Sequence, residues 1–160
     1  KDNNYTFYLT LQNPFHKEQM ISIFIPDYET YLNYNIYPEC AIKVFEHPFT
    51  EQSNLSLLRT PFMQEQQYIE KTKISDTNQA IKESSLINFG GTPDLIQNKS
   101  FYYEALHNDG YKFLFQIDEN GYPDNLIKGN YPFSFGSLYI YAKITSEEFS
   151  NPLAGFWQYT

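Results

Sequence analysis

The chain has little of several features that would identify a function class directly. It contains one cysteine, Cys40, in 160 residues, which excludes an intrachain disulfide. No apolar run approaches the ~20 residues of a membrane-spanning helix, and no signal-type apolar stretch is visible. Basic residues are scarce: 11 Lys and Arg stand against 19 Asp and Glu, for a net charge of -8. Such a field repels phosphate backbones and anionic lipids, so we expect no nucleic-acid or membrane partner.

Aromatic side chains are the abundant component. The chain has 15 Tyr and 14 Phe but a single Trp. Aromatic and β-branched side chains suit a pleated, half-buried surface better than a helix interior, so this composition favours β-sheet around an aromatic core. A chain of 160 residues is long enough for one ordinary domain, and we expect one domain that spans residues 1–160.

Apolar segments bounded by turn residues predict five β-strands, over residues 5–11, 20–25, 40–45, 111–117 and 137–144. Residues 156–159 predict either a closing strand or a tail that docks on the sheet. In the first and fourth, apolar residues alternate along the chain, which predicts one apolar face for each strand. These faces consist of Tyr5, Phe7, Leu9 and Leu11 in the first, and of Tyr111, Phe113, Phe115 and Ile117 in the fourth. The fifth segment is nearly continuous in apolar residues and predicts a central strand.

Helical signals are weaker. The spacing of apolar residues over 28–34 is compatible with one or two helical turns or with irregular structure. The polar stretch 50–88 is either surface helix or long loop, with one helix predicted to start at Pro61. A second helix is predicted after Ser75 or Asp76, with Ile87 on its inner face and Gly90-Gly91 as its stop. Residues 145–148 read as a capping box for one short helical turn.

Four blocks in the C-terminal half form a series. They are Gly91-Thr92-Pro93-Asp94-Leu95-Ile96-Gln97, Phe113-Leu114-Phe115-Gln116-Ile117-Asp118, Phe135-Gly136-Ser137-Leu138-Tyr139-Ile140 and Phe156-Trp157-Gln158. In order and spacing, this series resembles the YwqG-like family of bacterial proteins of unknown function, over residues 86–160. The chain departs from the family pattern at Thr92, where Tyr is usual, and at Leu95, where Trp is usual.

The resemblance implies an α+β fold, as a single domain dominated by antiparallel β-sheet with a few short helices. Some relatives look to be encoded beside secreted bacterial toxins. That neighbourhood implies an immunity-type or regulatory protein that acts by binding. Both implications rest on family likeness, because a fold does not by itself fix a function.

Candidate binding residues lie in acidic turns. The pattern Gly-x-Pro-Asp occurs at residues 91–94 and 121–124, where Pro restricts φ and Asp bonds the nearby backbone, so each unit is first of all a turn. If these turns meet at one end of the sheet, Asp94, Asp118 and Asp124 would face a cation or a basic partner. Gln97 and Trp157 complete the predicted binding residues, with Trp157 either a carbohydrate or peptide platform or a core residue.

No catalytic or metal-binding arrangement can be assembled from the sequence. The three histidines lack the spacing of zinc ligands, and His107 with Asp109 would form an acid/base pair without a Ser or Cys nucleophile. Residues 118–124 alternate oxygen ligands as in a calcium loop, but Gly129 occupies the bidentate position. We therefore predict no catalytic residue, no metal and no cofactor.

Together these observations predict a non-enzymatic bacterial protein-binding domain with an acidic, aromatic-rich surface. We expect a monomer with a protein partner, which the net charge indicates is basic. The alternative is a small-molecule or carbohydrate-binding domain, or a small hydrolase, with a pocket at loops 91–94 and 118–124. The expected compartment is the cytoplasm, with a secreted surface protein as the alternative because the chain begins at Lys1 without Met.

Overall fold

The computed structural model describes residues 5–51, 68–69, 85–123, 126–145 and 149–159. Within these ranges the chain forms seven strands and two short α-helices. The strands are β1 (Thr6–Gln12), β2 (Gln19–Ile25), β3 (Lys43–Pro48), β4 (Ile87–Phe89), β5 (Lys112–Asp118), β6 (Ser137–Ile144) and β7 (Phe149–Gln158). The helices are α1 (Tyr28–Asn33) and α2 (Glu104–Asn108), and 3-10 turns cover Ser100–Tyr102 and Glu119–Gly121.

The strands form two antiparallel sheets, ordered β1-β2-β3 and β4-β5-β6-β7. The predicted β-dominated fold with a few short helices is thereby confirmed. Within the described part of the chain, no helix is long and apolar enough to cross a membrane.

The first sheet corrects the prediction of a single apolar face in β1. A bulge between Phe7 and Leu9 changes the register, so Phe7 pairs with Phe24 while Leu9 pairs with Ile23. Cross-strand partners share a face, so Phe7 and Leu9 lie on opposite faces of the sheet. Tyr8, at the bulge, is buried instead.

Strand β3 also begins later than predicted. It starts at Lys43 rather than Cys40, because the backbone N–H of Ala41 donates to the Tyr34 carbonyl at 2.9 Å. That bond holds this part of the chain against the end of α1. The ambiguous segment 28–34 does contain a helix, and the Asp27 side chain caps it by accepting from the backbone N–H of Thr30.

The second sheet corrects the predicted helix that was to contain Ile87. This residue lies in β4 and pairs with Ile117 of β5, and the following Gly90 and Gly91 have φ of 67° and 70° and end a strand rather than a helix. The central position of β6, between β5 and β7, is confirmed. The remainder of the predicted helix over 75–87, the one from Pro61 and the turn over 145–148 fall mostly outside the described residues.

Two further corrections concern strands β5 and β7. A bulge between Phe113 and Phe115 divides the predicted apolar face of β5. Strand β7 starts at Phe149, seven residues before the predicted closing segment 156–159, and continues through Asn151-Pro152. Asn151 adopts a left-handed backbone conformation, with φ of 51°. This local irregularity allows the strand to continue past Pro152.

The two sheets pack face to face over a shared apolar core. Residues from both sheets contribute: Ile21, Ile23, Ile25, Phe115, Ile117, Leu138, Ile140 and Trp157 are all buried there. Residues beyond α1 join the edge of the second sheet, where the Tyr37 N–H donates to the Gly155 carbonyl at 2.7 Å. The opposite face of the second sheet, here called the strap face, carries a smaller aromatic cluster against α2, built on Tyr102, Leu106, Tyr139, Tyr141 and Phe156.

Candidate functional site

A loop that we call the strap, residues 92–98, crosses the strap face from β5 to β7. Its backbone is held by buried polar side chains of the sheet. The N–H of Asp94 donates to Gln116 Oε1 at 2.7 Å, and the Asp94 carbonyl accepts from the Tyr139 hydroxyl at 2.7 Å. Because Gln116 belongs to β5 and Tyr139 to β6, the strap is fixed to two neighbouring strands at one residue.

The third attachment is on β7, at Gln97. Gln158 is fully buried; its Nε2 donates to the Gln97 carbonyl at 2.8 Å, and its Oε1 accepts from the Gln97 N–H at 3.0 Å. The Gln158 side-chain amide thus hydrogen-bonds both backbone groups of Gln97, as the backbone of a neighbouring β-strand would. The Gln97 side chain accepts from the Tyr102 hydroxyl at 3.0 Å. Gln97, predicted as a binding residue, therefore holds the strap in place.

A groove of about 430 Å³ lies between the strap, α2 and strands β5 and β6. Its described lining residues are Thr92, Pro93, Asp94, Leu95, Asn98, Tyr103, His107, Phe113 and Tyr141. Four rings contact one another here, of which Tyr103, His107 and Phe113 are at least partly exposed while Tyr141 is buried, at 1% exposure. Ring centroids are 5.2 Å apart for Tyr103 and His107, 6.5 Å for His107 and Tyr141, and 5.8 Å for Tyr141 and Phe113. One wall of the groove is therefore aromatic.

Polar groups stand at the strap side of the groove. Thr92, Asp94 and Asn98 are all exposed there. Among the described residues, the Asp94 carboxylate has no ion pair, since the only ion pair in these ranges joins His16 to Glu46. Both backbone groups of Asp94 are hydrogen-bonded to side chains of the sheet, so the backbone that carries its carboxylate is held in place. An aromatic wall with a few placed polar groups is the usual make-up of a ligand site.

The other predicted binding residues lie elsewhere. Asp118 does not line the groove; its Oδ1 accepts from the backbone N–H of Asn120 at 2.9 Å. Asp124 lies outside the described residues. Trp157 is 1% exposed and donates from Nε1 to the Tyr31 carbonyl at 2.9 Å, so it packs in the core and offers no surface platform. Of the five predicted residues, Asp94 alone is placed among the groove's described lining residues.

The structure also shows the surroundings of the residues that were considered for catalysis and metal binding. The Asp109 carboxylate accepts from the Tyr37 hydroxyl at 2.6 Å, and among the described residues no hydrogen bond joins it to the His107 side chain. In the described ranges no group of three or more His, Cys, Asp or Glu could hold a metal ion. Burial raises the pKa of the Cys40 thiol to about 12, so this thiol is protonated at neutral pH and a poor nucleophile.

Sequence reasoning missed one buried carboxyl group. Glu119 is 1% exposed, and its oxygens accept from the backbone N–H groups of Phe133, at 2.8 Å, and Gly136, at 3.2 Å. Burial raises its pKa to about 7, although these N–H groups act in the opposite direction. The loop that supplies them contains left-handed Ser134 and Phe135, with φ of 54° and 61°. Nothing in the sequence separates Glu119 from the acidic residues around it.

The groove walls were also missed. Tyr103, Phe113 and Tyr141 come from three separate segments, and each looks like an ordinary core aromatic in the sequence. Comparisons with protein-family models, curated proteins and solved structures find no match to this chain. The YwqG-like resemblance therefore stays a prediction.

Proposed function

We propose that this chain is a protein-binding domain that recognises its partner through the groove under the strap. The observation that carries the proposal is the concave surface of about 430 Å³, with the rings of Tyr103, His107 and Phe113 on one wall and the exposed Asp94 among its lining residues. Rings that are already packed against one another lose little conformational entropy when a ligand covers them, which favours binding.

Two features support a protein as the partner. The chain carries a net charge of -8, which attracts basic partners over a distance. Large exposed apolar side chains also lie in the strap, with Ile96 at 37% exposure, and close to it in sequence, with Phe89 at 49% and Phe101 at 57%. A partner larger than the groove itself would cover such side chains as well.

Kinship and domain organisation belong to the same proposal. We propose a divergent YwqG-like bacterial protein with an immunity-type or regulatory task, on the strength of the four sequence blocks. We also propose that residues 1–160 form one domain, because the two sheets share one core. The polar residues Gln116, Tyr139 and Gln158 hold the strap on the sheet instead of forming a reactive group, which favours a binding function over a catalytic one.

The test uses peptides selected from a random display library against the native chain. Selected peptides are titrated into isotope-labelled protein, and backbone amide shifts map the binding surface. We expect the largest changes in residues 92–98 and at Phe113. Filling the groove with Asn98→Trp should abolish the binding, while the matched control Asn130→Trp, at an exposed position that does not line the groove, should leave it intact. Peptides that bind both variants equally would overturn the proposal.

A small ligand is the second candidate, because the groove volume lies in the range of small-molecule sites, roughly 300–1,000 Å³. A thermal-shift screen with sugars, nucleotides and amines tests it. A true ligand should raise the melting temperature of the native chain and not that of Asn98→Trp. If no compound separates the two proteins, the groove has no small-molecule function.

A further inference from the structure

The groove combines an aromatic wall with a single fixed charge. Of its described lining residues, Asp94 is the only Asp, Glu, Lys or Arg, and no lysine is placed among them. The nearest lysine with a ring contact, Lys143, lies 5.2 Å from the ring of Tyr111, which is not among the groove's lining residues. The groove therefore offers negative charge and ring faces that the described part of the chain leaves without a cationic partner.

We propose that the groove binds a cationic side chain of the partner, an arginine, stacked on the partly or fully exposed rings of Tyr103, His107 and Phe113 with its guanidinium group at Asp94. This inference rests on the proposed function and specifies the chemistry of the same site.

The chemistry of arginine matches both parts of the groove. A guanidinium group is planar, stacks on aromatic faces and donates two parallel hydrogen bonds to a carboxylate. The three-carbon stem would cover apolar surface of the kind that Pro93 and Leu95 supply. An anionic ligand would meet Asp94 and the net charge of -8, and both would repel it.

The backbone of the strap makes Asp94 a suitable anchor. Its N–H and carbonyl are bonded at 2.7 Å each to side chains that are themselves buried, Gln116 and Tyr139. A carboxylate on a fixed backbone loses less freedom on binding than one on a mobile loop. Substituting the carboxylate alone leaves both backbone bonds in place, so Asp94→Asn isolates the charge.

The probe is N-acetyl-arginine amide, titrated into isotope-labelled protein and followed by backbone amide shifts. The matched ligand is N-acetyl-citrulline amide, which has nearly the same shape without the charge. We expect the arginine probe to shift residues 92–98 and Phe113, and to bind about tenfold more tightly than the citrulline probe. Asp94→Asn should weaken the arginine probe about five- to tenfold and leave the citrulline probe unchanged, and added salt should weaken the former only.

Equal binding of the two probes, or arginine binding that Asp94→Asn does not weaken, would overturn the arginine inference. The same result follows if the arginine probe shifts residues away from the groove. The proposed function has a separate outcome: selected peptides without Arg or Lys that still need an open groove would support it and refute the arginine inference. Selected peptides that bind equally with the groove filled would refute both.

Discussion

Burial controls the ionisation of Glu119. Its carboxyl group lies in the interior beside a pair of hydrogen-bonded tyrosines, Tyr8 and Tyr122, and three backbone N–H groups stabilise its charged form. Burial outweighs them and raises its pKa from 4.5 to about 7. The folded chain therefore holds this proton more tightly than the unfolded chain does.

The consequence is a stability that falls as the pH rises. Below about pH 4.5, the raised pKa of Glu119 contributes about 3 kcal/mol to the free energy of unfolding. This contribution is lost by pH 7 to 8. Urea unfolding of the native chain and of Glu119→Gln at pH 4.5 and pH 8 measures it. The native chain should lose about 3 kcal/mol more than the variant over this interval.

Comparing the two pH dependences cancels the other titrating groups, which both proteins share. The variant will be less stable at low pH, because its amide cannot accept at both oxygen positions. Parallel pH dependences for the two proteins would show that Glu119 titrates normally.

Gly136 is a second residue whose identity the packing dictates. A β-carbon at this position would overlap the Gln158 carbonyl oxygen and lie 2.5 Å from that of Phe133. Both obstacles are backbone atoms, so Gly136→Ala should lower the free energy of unfolding by about 3 kcal/mol. Gly91→Ala is the control, because that site is open but has φ of 70° and should cost only about 1 kcal/mol. Equal losses in chemical denaturation would contradict the account.

The position of the strap depends on side chains that hydrogen-bond its backbone in the way the edge of a β-strand does. Gln158→Ala removes the bonds to both backbone groups of Gln97 and leaves a cavity, so it should cost about 2–3 kcal/mol in the free energy of unfolding. Hydrogen exchange should show the Gln97 amide opening much more readily than the amides of β6. The exposed Gln12→Ala serves as control. Unchanged protection at Gln97 would mean that the strap has other attachments.

Elements with a strong apolar pattern were predictable from the sequence. The continuous apolar run of β6 gave its bounds and its central place. The faces of β1 and β5 were not predictable, because a bulge in each strand reverses the alternation and bulges leave no periodic signal. The start of β7 was missed because Asn151-Pro152 has the composition of a turn.

The candidate site was predictable only in part, for a physical reason. Asp94 stood out because its turn has a recognisable chemistry. The ring cluster could not be found, since Phe113 and Tyr141 become neighbours only when β5 pairs with β6. Tyr103 and His107 join them only when α2 packs on the second sheet. For Trp157 the sequence left two roles open, a surface platform and a core residue, and the structure places it in the core.

At the scale of the whole molecule, the shared core couples the two sheets. Trp157 contacts Tyr31 and Phe133 there, with ring centroids 5.5 Å apart in both pairs. We expect unfolding followed by Trp fluorescence and by far-UV circular dichroism to give one coincident transition. Ile23→Ala in the first sheet and Ile140→Ala in the second should each lower the free energy of unfolding by about 2–5 kcal/mol. Two separate transitions would show that the sheets fold independently.

If the groove under the strap binds the partner through an arginine, a crystal structure of the chain with a selected peptide should reveal it. We expect an arginine side chain against the rings of Tyr103, His107 and Phe113, with its guanidinium group hydrogen-bonded to the Asp94 carboxylate. A peptide bound elsewhere, with the groove unoccupied, would refute this binding mode.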